Sequence, residues 1–209
     1  AVLAALIELR GVGTVRSLQL SKLRETSTDY FLVRPVSDDE GGDLWGQRML
    51  ESVLNDPEIK TIGVVIDADD KLDSKRAAIE SLATRFGFDP PPELPWPVGC
   101  VLRSGLSRAL GIWIMPDNDS AGKLETLLSR TIDAADPNWK HANDVLNDVK
   151  EPRFASVDRD KAQIRTWLAW QDPPGLEFGG AIRADKFDPN HKAFDPLIAW
   201  LQQLKDLDK

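Results

Sequence analysis

Two stretches of this chain run from an apolar, β-rich segment straight into a cluster of acids, and they limit the possible folds most. TIGVVI at 61–66 leads into Asp67, Ala68, Asp69 and Asp70. GIWIM at 111–115 leads into Pro116, Asp117, Asn118 and Asp119. A continuous run of this kind predicts a strand buried on both faces. A helical pattern follows each strand. Residues 74–86 put Ile79, Leu82, Ala83 and Phe86 inward, with Gly87 as the stop. Leu124, Leu127, Leu128 and Ile132 share a face of the second helix, and Ser120 is placed to cap it. Strand and helix in alternation predict an α/β fold with a parallel sheet.

The remaining elements are arranged around that pattern. Leu3, Leu6, Ile7 and Arg10 have helical spacing, and Gly11 suits the end of that helix. YFLV at 30–33 reads as a short strand, 38–42 as a turn and 44–55 as a helix. Residues 89–97 hold five prolines and predict a stiff loop, with Trp96 as the indole best placed for an exposed contact. Residues 98–102 read as a further short strand. Beyond residue 136 the pattern is helical, over 160–171 and 193–207. Trp167, Trp170 and Trp200 are expected to pack these helices over the sheet. The expected organisation is a single domain over 1–209, with a sheet core over 1–135 and a helical cover over 136–209.

The chain of 209 residues has a net charge of -8, from 34 acidic and 26 basic side chains. That balance disfavours a protein that coats DNA or an acidic membrane by bulk charge. No apolar run is long enough to cross a bilayer, so no membrane partner is expected. The one cysteine, Cys100, fits a reducing cytoplasm and reads as a buried apolar side chain. With two histidines, His141 and His191, a histidine-rich zinc site is excluded, and neither has an evident role. A metal here would be held by carboxylates, which selects Mg²⁺, Mn²⁺ or Ca²⁺.

The strand-end acids are the candidates for chemistry. In open parallel sheets, ligands bind beyond the carboxyl ends of strands. Asp67 and Asp69, at i and i+2, can face one crevice, where carboxylates repel unless a cation lies between them. Such a cation would orient water and offset phosphoryl charge. Asp117 and Asp119 repeat the pattern, and Glu125 can lean back from the following helix. The plainer reading of each aspartate is turn and capping chemistry. For Glu125 it is a favourable first-turn acid, and for Lys123, which could steady a phosphate, a solvated lysine. Arg103, Arg108, Arg153, Arg159 and Arg165 are either a phosphate-binding rim or, more simply, scattered surface arginines.

IGVVIDADD at 62–70, GIWIMPDNDSAGKLETLL at 111–128, KAQIRTWLAWQDPPG at 161–175 and DPNHKAFDPLIAWLQQL at 188–204 together resemble a bacterial family of unknown function in the Toprim-like clan. The resemblance covers nearly the whole chain. It implies a small parallel sheet between helices, as in topoisomerases, primases and overcoming-lysogenization-defect nucleases. It also implies a D-x-D at Asp67 and Asp69 that holds Mg²⁺ or Mn²⁺. Asp117 and Glu125 match acidic positions of the second block. The family usually opens with a strand ending in V-E-G. Here AVLAALIELRG reads as the first helix already under way, so the first strand and its glutamate are expected to be missing. Glu8 and Glu40 are poor substitutes.

Two functions follow. The first is a Mg²⁺-dependent phosphodiester-acting enzyme, nuclease-like, in phage defence or DNA maintenance. Asp67, Asp69, Asp117 and Glu125 would then be its catalytic and metal residues. The second is a catalytically silent Toprim-like module that binds a partner or a nucleotide without cleaving anything. Nucleic acid and protein are both open as partners. A phosphorylated receiver domain is a weaker third, for want of a lysine-bearing strand.

Overall fold

The computed structural model describes residues 1–16, 30–32, 51–56, 59–105 and 108–207. Within them the chain is α/β. α1 (Val2–Leu9) leads to β1 (Thr14–Arg16), which pairs in parallel with β2 (Tyr30–Leu32). Sequence patterning finds β2 and misses the three-residue β1. Residues 51–54 are helical, as expected of that end of 44–55; the rest of that helix, the turn at 38–42 and Glu40 lie outside the described residues.

The second sheet carries the acids. β3 (Thr61–Asp67) and β5 (Arg108–Met115) are adjacent and parallel, with Asp67 opposite Met115. β4 (Cys100–Ser104) runs antiparallel to β5, so the sheet has order β3-β5-β4 and is mixed, not all parallel. The reason is the connection. Only residues 105–107 separate β4 from β5, enough for a hairpin, whereas a parallel crossover needs about a dozen residues or more. β5 is central and buried along most of its length. β3 is the edge strand among the described residues, and only Ile62 of it is fully buried, short of the two-sided burial its sequence predicts.

β5 shows why the strand needs both faces apolar. Side chains alternate across a sheet. Leu110, Ile112 and Ile114 join a core with Ile62, Ile79, Ala83, Phe88 and Cys100. There α2 (Leu72–Arg85) covers one face. Trp113 and Met115 join the opposite core, with residues of α1, α3 (Leu124–Ser129), α4 (Pro137–Asp148), α5 (Arg159–Ala169), α6 (Phe178–Arg183) and α7 (Asp195–Asp206). α1 therefore packs with the C-terminal helices. Arg183 Nη2 to Glu8 (2.8 Å), Arg10 Nη2 to Asp195 (2.8 Å) and Lys205 Nζ to the Val12 carbonyl (2.7 Å) tie the two ends of the chain together.

The cover touches the sheet through glycines. Gly63 of β3 and Gly111 of β5 are cross-strand partners. A Cβ on Gly111 would collide with Leu204 Cδ2, and one on Gly63 would lie 3.0 Å from Leu204 Cδ1. Neighbouring Gly99, at φ +75°, has no room for a Cβ beside the Trp200 indole. Leu204 and Trp200 of α7 thus sit where the sheet has no side chains. Trp200 also donates from Nε1 to the Cys100 carbonyl (3.3 Å) and tilts against Trp113.

Three tryptophans resolve differently from one another. Trp96 is buried, not exposed: its Nε1 donates to the Pro92 carbonyl (3.1 Å), and the proline loop folds the indole into the α2-side core. Trp167 is buried among the cover helices, donating to Asp136 (3.0 Å), whose other oxygen caps α4. Trp170 does not pack over the sheet. It is 42% exposed and stacks on His141. Among the described residues, no helix is long and apolar enough to cross a membrane.

Candidate functional site

The D-x-D loop is held in place by backbone pairing. After β3, Asp69 N donates to the Gly122 carbonyl (2.9 Å) and Gly122 N donates to the Asp69 carbonyl (2.7 Å). That bridge lays the entry of α3 across the end of β3. Asp69 takes a positive φ of 54°, tolerable for an aspartate in a tight loop. As a consequence, Asp67 Oδ1 accepts the Leu124 amide at 3.0 Å. Asp67 thus supplies a side-chain acceptor to a helix whose own N-cap, Lys123, has no side-chain capping bond. Ser120 does not cap this helix, because its hydroxyl turns to Asp117 (2.8 Å).

Asp67 is half-buried, and its carboxyl is raised above the ordinary value. Burial is the main cause. The Leu124 amide and Lys123 oppose it, but the charges of Glu125 and Asp69 push it further up. The folded chain therefore holds this proton more tightly than the unfolded chain. Stability from this group is present at low pH and is lost as pH rises from 3.8 through the raised folded value. Asp67→Asn keeps an oxygen for Leu124 and removes the charge. In chelator-treated protein its melting temperature will exceed that of the original chain at pH 7, and the gap will close below about pH 3.8. A lower melting temperature at pH 7 would contradict the charge argument.

Asp69 is neutralised within the chain. Lys123 Nζ is 3.3 Å from Asp69 Oδ1 and Lys75 Nζ is 3.4 Å from Asp69 Oδ2. Lys123 also reaches Asp158, at the start of α5, at 2.9 Å. The lysine expected to be solvated is instead mostly covered, bridging two acids of different elements. Asp158 holds its ammonium charged, and Lys123 in turn holds the Asp158 carboxyl below the usual range.

Asp117 stands in a network of its own. It accepts from Arg130 Nη1 (2.7 Å), the Ser120 amide (2.8 Å) and hydroxyl, and the Asp119 amide (3.2 Å). Burial raises its carboxyl, but Arg130 and Ser120 outweigh that and hold it below the ordinary value. The following Asn118 is fully buried. Its Oδ1 accepts the Ile114 amide (2.6 Å), while its Nδ2 has no partner among the described residues.

Asp69 and Glu125 are thus each within electrostatic reach of Asp67, while Asp117 is tied to Arg130. Their hard carboxylate oxygens fit Mg²⁺ or Mn²⁺ in donor chemistry. They do not form a ready cage: among the described residues, no three acids, histidines or cysteines are placed to hold a metal ion. Lys75, Lys123, Arg130 and Asp158 are the site residues that sequence reasoning misses. Only Lys123, inside the second acidic block, carries any signal.

Three of the five arginines, Arg108, Arg159 and Arg165, are engaged with separate local partners. Arg108 donates to the Leu54 and Ile59 carbonyls, Arg159 to Asn143 and Asn147, and Arg165 to Glu177. Cys100 is buried, which pushes its thiol up to about 11, as suits an inert side chain.

A family model described as "Protein of unknown function (DUF3226)" matches residues 4–206. No curated protein matches the chain, and no solved structure matches it.

Proposed function

We propose, for a chain that belongs to this family of unknown function, a Toprim-type phosphodiester-acting enzyme that depends on Mg²⁺ or Mn²⁺. Asp67 and Asp69 would hold the metal, Glu125 would complete the acidic crevice, and Asp117 would stand at its border through Arg130. The observation that carries this reading is the crowding at the end of β3. The Asp67 carboxyl is raised mainly by its burial and further by the charges of Glu125 and Asp69. A divalent cation offsets such repulsion. When bound, it would supply a polarised water and charge stabilisation on a phosphoryl oxygen. Of the chain's own groups, the Asp67 carboxylate is anchored by the Leu124 amide, and the Asp69 backbone is paired to Gly122.

A specific observation favours the second reading, a silent Toprim-like module that binds a partner. Lys75 and Lys123 already neutralise Asp69, and Arg130 already neutralises Asp117. The two readings part in one experiment. Single-stranded and duplex DNA and RNA are incubated with the chain and with Asp67→Ala in Mg²⁺ and in Mn²⁺. The enzyme reading expects cleavage by the unaltered chain and a loss of about 10²-fold or more in Asp67→Ala. Equal cleavage by both, or none by either, leaves the binding module.

A further inference from the structure

We propose that Arg159 is an anion seat, built on Asn143 and Asn147, for a phosphoryl group. Arg159 opens α5, and its Nη2 donates to Asn143 Oδ1 (2.9 Å) and Asn147 Oδ1 (2.6 Å). The two asparagines stand one turn apart on α4. Neutral amide oxygens fix the guanidinium and leave its charge in place. Arg10, Arg85, Arg130, Arg165 and Arg183 each pair with a carboxylate, whereas Arg159 has no ion pair among the described residues. Its Nη1 and Nε also have no hydrogen-bond partner among those residues. Arg159 is half-buried beside the exposed Asn147, a position that a dissolved ligand can reach.

The acids beside Arg159 in the chain are engaged elsewhere. Asp158 takes Lys123 at 2.9 Å, and Asp160 accepts from Thr126 Oγ1 at 2.7 Å, so both turn toward α3. An aspartate at 143 or 147 would pair with the guanidinium and cancel its charge. Asparagine, a poor helix former, holds it without doing so. An arginine fork fixed in this way suits a phosphoryl group, which accepts two parallel N–H bonds from it. Lys123 ties Asp158 to Asp69, so the seat adjoins the strand-end acids at the start of α5. The phosphoryl group is that of a nucleic-acid backbone or of free phosphate. The first source rests on the phosphodiester reading of the strand-end acids; the charge left on Arg159 does not.

The full chain, Arg159→Gln, Arg159→Lys and Asn143→Asp are compared in chelator, so that binding is read without cleavage. The readouts are the anisotropy of a labelled single-stranded DNA over a range of salt, and thermal melts with and without inorganic phosphate. Arg159→Gln is expected to bind the DNA about tenfold more weakly, with a salt slope shallower by about one. Asn143→Asp is expected to lose as much affinity while melting no lower than the unaltered chain, because it strengthens the bond to Arg159 and cancels its charge. A merely structural arginine cannot give a loss of affinity without a loss of stability, and this variant decides if Arg159→Gln does not fold. Arg159→Lys, with the charge but no fork, should fall between. Millimolar phosphate should displace the DNA, and should raise the melting temperature only where the Arg159 charge is unpaired. A phosphate-dependent rise without DNA binding keeps the seat and assigns it free phosphate. Affinities and phosphate shifts that are equal in all four proteins overturn the inference, as does full affinity in Asn143→Asp. The enzyme reading fails separately. Arg159-dependent binding without cleavage in Mg²⁺ or Mn²⁺ sinks that reading alone, and cleavage with unchanged affinity in Arg159→Gln sinks the seat alone.

Discussion

Trp200→Ala will lower the stability of this chain by about 3–5 kcal/mol, at the upper end for a core aromatic truncation. The cost of such a change depends on how far the surroundings collapse into the space left. Here they cannot collapse far. The indole is 1% exposed and rests against Gly63 and Gly99, which have no side chains to reorient. Trp113, its aromatic neighbour, is itself fully buried on the central strand. The bond from Trp200 Nε1 to the Cys100 carbonyl is lost as well. Urea denaturation at pH 7 reads the effect directly. A loss under about 2 kcal/mol would mean that α7 is not seated on the sheet as described.

That seat is hard to read from the sequence, for a physical reason. Gly63 and Gly111 lie inside apolar runs, where a glycine usually signals weakness or a bulge. Their meaning comes from cross-strand register and from Leu204, more than ninety residues further on, and no local pattern carries either. The strands themselves are legible because β5 is apolar at every position it buries. α1, α2, α3, α5 and α7 are legible from their spacing, to within a few residues at each end, whereas spacing singles out neither α4 nor α6. The direction of β4 is not, because strand periodicity is blind to direction. Only the short connection to β5 holds that information.

The acids show a similar division. Strand-plus-acid patterning finds Asp67 and Asp69 at the end of β3, and backbone pairing to Gly122 brings Glu125 within electrostatic reach of Asp67. The partners of these acids are not legible. Lys75 is a solvent-side residue of an amphipathic helix, and Arg130 is a polar residue just past α3. Asp158 comes from a separate segment altogether. Charge pairing across elements depends on the three-dimensional arrangement of side chains whose sequence context looks like ordinary surface. Trp96 fails in the opposite direction. A tryptophan between prolines looks exposed, but the stiff loop lets it fold back and donate to the Pro92 carbonyl.

Gly99→Ala is the second large effect, and it can be separated into its parts. Gly99 has φ +75°, where an L residue costs about 1–2 kcal/mol. Its new Cβ would also meet the Trp200 indole, with Cγ at 2.7 Å, and overpacking of this kind costs about 1–3 kcal/mol. The sum is a loss of about 2–5 kcal/mol. Gly87→Ala isolates the first part. It has φ +73° with nothing within 4 Å of its Cβ, so it should lose only about 1–2 kcal/mol. The Trp200→Ala background isolates the second, because the ring that the added methyl would strike is gone. There Gly99→Ala should cost no more than Gly87→Ala, and the double variant should be less destabilised than the sum of the single ones by about 1–3 kcal/mol. Additive losses would show that the Gly99 backbone and the Trp200 ring do not meet. The glycine would then be present only for its backbone angle, and the close seating of α7 on the sheet would be wrong at this point.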